Sequence, residues 1–324
     1  MAVYTQLANE EIAALIRTEY GLAELALAVG IAQGVENSNY LLELVDGQKF
    51  ILTLYEKRVA AEDVPFFLGL MQHLAAKGLA CPQPVARVNG SLFGKVAGRP
   101  AALVTFLPGK CRTRLDVAHC IGAGNALAQL HAAVGGFAGR RANSLSLAGW
   151  QAMFEKIEPR VDEIQPGMRQ MIAHELGYLN EHWPEMAGLE QGIIHADLFP
   201  DNVFFDAHDR VSGVIDFYFA CVDAFAYDLA ITVNAWCFER DHAFNRTKAH
   251  ALLAAYRKTR PLSDAERAAL PVLVRGAALR FLLTRAHDML FHEKSALVTP
   301  KDPAEYVRKL RFHQSVTDAG EYGI

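Results

Sequence analysis

Between Gly192 and Asp216 the chain sets His195, Asp197, Asn202 and Asp216 between short apolar runs, in an order that few folds accommodate. Ile193-Ile194 reads as the end of a buried strand. His195-Ala-Asp197-Leu-Phe-Pro-Asp-Asn202 follows as a loop. Val203-Phe204-Phe205 and Val211 to Ile215 then read as a hairpin turning at Asp206 to Asp209. Such a hairpin brings Asn202 and Asp216 side by side, two oxygen ligands suited to Mg²⁺, with Asp197 on the loop just ahead of them.

His, Asp and Asn also recur in turns because their side chains bond nearby backbone. A lone His-x-Asp is turn chemistry. The full set asks for more: Asp and Asn five residues apart on a loop between apolar runs, and a second Asp closing the next hairpin. Kinases use that layout, with a loop Asp accepting the proton of the substrate hydroxyl and the Asn and later Asp on metal.

His195-x-Asp197-x-x-x-x-Asn202 with Ile215-Asp216-Phe217 resembles the signature of the aminoglycoside-phosphotransferase-like kinases. Gly34-Val-Glu-Asn-Ser-Asn-Tyr40, Phe50-Ile-Leu-Thr-Leu-Tyr-Glu56 and Tyr227-Asp228-Leu-Ala230 resemble the homoserine kinase branch of that family. The likeness extends from about residue 1 to about residue 315. It implies an α+β, two-lobed protein-kinase-like fold. A small antiparallel β-sheet lobe with helices, residues 1–107, would bind nucleotide. A larger, mainly helical lobe, residues 108–324, would carry catalysis and the acceptor. It implies ATP and Mg²⁺ as cofactors, Asp197 as catalytic base, Asn202 and Asp216 on metal, and His195 and Asp228 as supports of the catalytic loop. The acceptor it implies is a small-molecule hydroxyl, homoserine foremost, in threonine biosynthesis.

Composition sets outer bounds. The chain has 324 residues, 52% of them hydrophobic, enough for one or two ordinary cores. A net charge of −4 with mixed signs speaks against nucleic-acid or polybasic membrane partners. No apolar run reaches the ~18 residues of a membrane span, and the N-terminus lacks the marks of a signal peptide. Five cysteines, an odd number with no C-x-x-C spacing, read as reduced thiols of a cytoplasmic protein. No zinc pattern occurs among the histidines. A monomer or homodimer is expected.

In chain order, Asn9 reads as the cap of a first helix ending at Gly21. Gly30 to Asn39 is a turn rich in small residues between strands. Either it is an ordinary β-turn or, with Gly34, Ser38 and Asn39, it closes over phosphates. On the strand Lys49 to Tyr55, the position of the family's basic residue is Thr53, which carries no charge; Lys49, Lys57 or Arg58 would have to compensate. Ala61 to Lys77 is an amphipathic helix. Val85–Val88 and Gly90–Lys95 read as a hairpin through Asn89-Gly90. The strand Ala101 to Leu107 would end at a hinge, Thr105 to Leu107, that reads adenine in related kinases. Thr113-Arg-Leu-Asp116 reads as a capping box before a helix carrying His131. Helices flank a Pro166-Gly167 break, and three more occupy the C-terminal third, with a frayed end from Asp318.

The acceptor side is less marked. Asn234 and Trp236 sit on the helix after Asp228. Arg275, Arg280 and Arg285 recur at fives. Of these Arg280 is the candidate partner for a substrate carboxylate, because its fork binds carboxylates bidentately. Phe199, where kinases acting on Ser or Thr place Lys, favours a small acceptor. Two alternatives stay open: a choline- or ethanolamine-type kinase with Trp236 and Tyr218 as an aromatic cage, and an inactive nucleotide-binding regulatory module, suggested by Thr53.

Overall fold

The computed structural model describes residues 5–31, 37–56, 59–291 and 300–324. Gly34, Lys57 and Arg58 lie outside the described residues.

The first helix, α1 (Asn9–Tyr20), begins one residue earlier than expected. Ala8 is the capping position, and its amide is bonded by the Glu11 carboxylate at 2.9 Å. Gly21, at φ 63°, ends the helix. Ile12, Ile16 and Tyr20 recur at fours and pack on one face of a five-stranded antiparallel sheet. Its strands are β1 (Leu25–Gly30), β2 (Ser38–Leu44), β3 (Lys49–Leu54), β4 (Gly94–Val96) and β5 (Arg99–Thr105), in the order β1-β2-β3-β5-β4. Helix α2 (Val64–Ala76) follows β3.

Strand alternation separates the two faces of this sheet. Tyr40, Leu42, Phe50, Leu52, Leu54 and Leu103 face α1. Residues directly opposite each other in an antiparallel ladder share a face, so the other face is assembled from the register. Val29, Leu41, Ile51 and Val104 form one row across four strands. Asn39, Thr53 and Ala102 form the next.

The hairpin expected at Asn89-Gly90 is displaced. Ala97 and Gly98, at φ 49° and 75°, turn β4 into β5. Asn89-Gly90 makes a turn closed by Arg87 N–H on Ser91 O at 2.8 Å but no longer ladder, because the neighbouring donors of its first flank go elsewhere. Val85 N–H bonds Leu103 O at 2.8 Å and Val88 N–H bonds Glu19 O at 2.8 Å.

Helix α3 (Val117–Ala133) is capped by Asp116, which accepts from His119 N–H at 3.0 Å. The cap is therefore three residues later than the Thr113 reading. Next come α4 (Leu147–Ile157) and α5 (Met168–His182), with Gly167 at φ 82° between them. A two-stranded sheet pairs β6 (Gln191–Ile194) with β9 (Cys221–Ala224) and encloses the hairpin β7 (Val203–Phe205) and β8 (Val211–Val214). Helices α6 (Phe225–Trp236), α7 (Arg246–Thr259), α8 (Asp264–Phe291) and α9 (Ala304–Gln314) complete the large lobe. The C-terminal segment is docked rather than frayed: Tyr322 is fully buried and its hydroxyl meets His313 Nδ1 at 2.8 Å.

The apolar core does not divide where the sheet ends. Tyr55, Ala102, Val104 and the inner face of α2 belong to the same cluster as the helical lobe. Past Thr105 the chain pairs at once with β7, Lys110 and Phe205 exchanging backbone bonds of 3.1 and 3.0 Å. Deeper in, Gly124 lets α3 lie on α7, since a Cβ there would sit 2.3 Å from Leu252 O. Gly124→Ala is expected to lower stability by about 1–3 kcal/mol through forced separation of the two helices. That exceeds the roughly 1 kcal/mol of helix propensity gained. Thermal unfolding checks it, and an unchanged midpoint would refute the close-packing account.

Candidate active site

The loop after β6 owes its shape to side chains that reach its backbone. Asp228, in the first turn of α6, is fully buried. Its carboxylate accepts from His195 N–H at 2.7 Å and Ala196 N–H at 2.9 Å. His131 on α3 meets the same carboxylate through Nε2 at 3.0 Å. Burial keeps the pKa of His131 below its ordinary value although Asp228 pulls the other way. Burial likewise opposes ionisation of Asp228, yet the His131 and backbone contacts hold its pKa low, so the pair is a carboxylate and a neutral imidazole. Behind it, His131 Nδ1 meets Tyr256 OH at 2.7 Å. Arg260 reaches that hydroxyl at 3.1 Å and pairs with Glu266 at 2.6 Å.

Ala196 sits at φ 62°, a left-handed conformation that a Cβ disfavours. Both its backbone groups are held: the N–H by Asp228, and the carbonyl by Arg280 Nη1 at 2.5 Å. The turn aims Asp197 outward, and its amide meets His195 Nδ1 at 3.3 Å. His195 Nε2 meets Ile215 O at 3.0 Å, tying the loop to the segment that bears Asp216. Asn202 Nδ2 donates to Asp197 O at 2.8 Å and to its carboxylate at 3.2 Å. Across the β7–β8 hairpin, Ile215 N–H bonds Asn202 O at 2.9 Å, which sets Asp216 one residue beyond Asn202.

Asp216 is also left-handed, at φ 66°. Its Oδ1 is buried with no hydrogen-bond partner among the described residues. Burial pushes its pKa up to about 6, only partly offset by the Tyr218 N–H. An orphaned carboxylate oxygen, one residue along from the backbone bond to Asn202, suits a divalent cation whose remaining ligands would be phosphate oxygens. No three His, Cys, Asp or Glu converge among the described residues, so phosphate would have to complete the shell.

Residues 28–262 match the family described as "Phosphotransferase enzyme family". The chain is 57% identical over 324 residues to "Homoserine kinase" of Nitrobacter hamburgensis, covering 100% of this chain and 98% of that protein. It is 58% identical over 325 residues to "Homoserine kinase" of Rhodopseudomonas palustris, with the same coverage. The chain belongs to the phosphotransferase enzyme family. Solved structures of similar fold include an amicoumacin kinase (TM-score 0.70, 14% identity, 97% of this chain and 95% of that one). A choline kinase from Cryptosporidium parvum is another (TM-score 0.67, 15% identity, 95% of each). At these identities they establish the two-lobed kinase-like fold. Among the described residues of this phosphotransferase, no helix is long and apolar enough to cross a membrane.

Several expected contacts lie elsewhere. Asn234 is fully buried, its amide bonding Ala230 O and Val274 O and its carbonyl meeting His313. Trp236 is fully buried too and donates to Leu198 O at 2.8 Å, so it steadies the catalytic loop and lines no acceptor pocket. Arg280 is 2% exposed and holds Ala196 rather than facing a substrate carboxylate. Arg275 and Arg285 pair separately with Glu175 and Glu305. The Ser38 side chain lies on the α1 face, its hydroxyl on Glu56 at 2.7 Å, and so turns away from any nucleotide. Of the segment expected as a hinge, Thr105 is bonded both ways to Gln83 and Phe106 N–H bonds Lys49 O, while the Leu107 amide has no partner among the described residues. The residues that sequence reasoning left unconnected are Tyr256 and Arg260, for which no local spacing gives a signal.

The shift at Asp216 fixes a sign. A folded-state pKa raised above 3.8 stabilises the fold fully below about pH 3.8, and that contribution is lost as pH rises through about 6. Above pH 6 the ionised carboxylate is a standing cost. Asp216→Asn is therefore expected to stabilise the metal-free protein at pH 7.5 by about 1–2 kcal/mol, with the gain shrinking toward pH 4. Denaturant titrations in EDTA at both pH values measure it. A destabilised variant at pH 7.5 would contradict the assignment.

Proposed function

We propose that the chain transfers the terminal phosphoryl group of ATP to the hydroxyl of L-homoserine, giving O-phospho-L-homoserine. Full-length likeness to homoserine kinases supports the acceptor. One observation supports the chemistry: the loop carboxylate of Asp197 is bonded to Asn202, whose carbonyl is bonded by the N–H of Ile215, the residue next to Asp216.

Asp197 orients the acceptor hydroxyl and takes its proton as the oxygen bonds to phosphorus. Phosphoryl transfer passes through a loose transition state, so positioning and charge neutralisation carry most of the acceleration. Mg²⁺ held by Asn202 and Asp216 would supply that neutralisation at the phosphate oxygens. The Asn202 amide also fixes Asp197, so one side chain serves both the base and the metal. The apolar row of Val29, Leu41 and Ile51, with Val29 47% exposed and Val104 buried at its inner end, offers an apolar surface for adenine. The Leu107 amide stands ready to bond its edge. A choline-type reading loses its cage, because Trp236 is sealed in the core and Tyr218 packs edge-on against Tyr55 and Phe67.

An ADP-release assay over homoserine, choline, ethanolamine and methylthioribose tests the acceptor, with turnover expected on homoserine. Asp197→Asn is expected to lower kcat by about 10²–10⁴-fold while ATP affinity holds. Near wild-type turnover in that variant would remove Asp197 as the base.

A further inference from the structure

The ATP reading leaves open what the sheet offers to the phosphate chain. We propose that Asn39, oriented by Thr53, is a neutral hydrogen-bond donor to the phosphates of the bound nucleotide, an inference that rests on the ATP reading above. Asn39 and Thr53 are directly opposite each other in the β2–β3 ladder. Their row lies one step, about 7 Å, from the apolar row of Val29, Leu41, Ile51 and Val104. The next residue of that face, Tyr55, meets Tyr218 edge-on at 5.2 Å, two residues past Asp216. The face thus runs from an apolar patch, through a polar pair, to the segment carrying the orphaned carboxylate. A nucleotide has the same order: base, phosphates, metal.

The pair is built to present donors. Thr53 is 2% exposed, and its hydroxyl donates to Asn39 Oδ1 at 2.7 Å. With its carbonyl engaged, the half-buried Asn39 turns its amide N–H groups away from Thr53, and they have no partner among the described residues. An NH₂ group has two donors, and phosphate oxygens are acceptors only. On the other side of the apolar row, Lys49 is opposite Glu43 in the β2–β3 ladder and paired with it at 3.1 Å. Thr53 thus acts as a positioning residue and Asn39 as the binding residue.

Two near-isosteric variants read this out. Asn39→Asp replaces the donors with an anion, and Thr53→Val removes the hydroxyl that orients the amide. Calorimetry with adenosine, ADP and MgATP, beside steady-state kinetics, separates base binding from phosphate binding. Asn39→Asp is expected to raise KM for ATP and Kd for ADP by about tenfold or more. Adenosine affinity and the KM for homoserine should stay within about twofold. Thr53→Val should show a smaller rise of about three- to tenfold, and Thr53→Ser should restore wild-type values. Equal loss of adenosine and ADP binding in Asn39→Asp would indicate a structural role only and overturn the proposal. So would an unchanged ADP-to-adenosine ratio in both variants. If Asn39→Asp does not fold, the Thr53→Val and Thr53→Ser pair decides by the same ratio. A wild-type protein that neither binds ATP nor releases ADP would instead overturn the proposed function.

Discussion

Asp228 is the residue on which the site's geometry depends. A buried carboxylate is costly unless its lone pairs are used, and here they are used by two consecutive backbone N–H groups and a neutral imidazole. Those two amides belong to His195 and Ala196, so the contact that satisfies Asp228 also fixes the turn that presents Asp197. A left-handed alanine costs on the order of 1–2 kcal/mol by itself. It persists because neighbours over-determine it: Asp228 on its amide, Arg280 on its carbonyl, and Trp236 two residues on. Arg280 is the long buried polar side chain that bonds this turn directly, whereas Arg275 and Arg285 pair with Glu175 and Glu305 elsewhere in the lobe.

This arrangement explains which parts could be read from the chain alone. Asp197, Asn202 and Asp216 were legible because their relation is local: five residues of loop, then a hairpin whose register follows from its turn. The sheet-bearing lobe was legible from alternation. Faces were harder. Ser38 and Asn39 are adjacent and both polar, yet a period of two sends one to α1 and the other to the cleft. Strand polarity alone does not say which.

Helices hide more. Helix α6 is buried nearly all round, and the middle of α8 likewise, so an apolar stripe does not mark which side meets substrate. Polar residues on such helices invite a cleft-facing reading. Asn234, Trp236 and Arg280 instead satisfy backbone groups inside the protein, where an unmet donor or acceptor costs about 1–3 kcal/mol. The Asn89-Gly90 reading failed for a related reason. A good turn sequence makes a hairpin only if its flanks keep pairing with each other, and here, beyond the single Arg87–Ser91 bond, Val85 and Val88 bond to β5 and α1.

The row of Val29, Leu41, Ile51 and Val104 begins on β1, the outermost strand of its sheet. Leu27 and Val29, 48% and 47% exposed, thus set apolar surface on an outermost strand, a combination that favours self-association. Nucleotide seated on that surface would act as a cover as well as a reactant. Solutions of this enzyme should keep longest when a little ADP is left in the buffer.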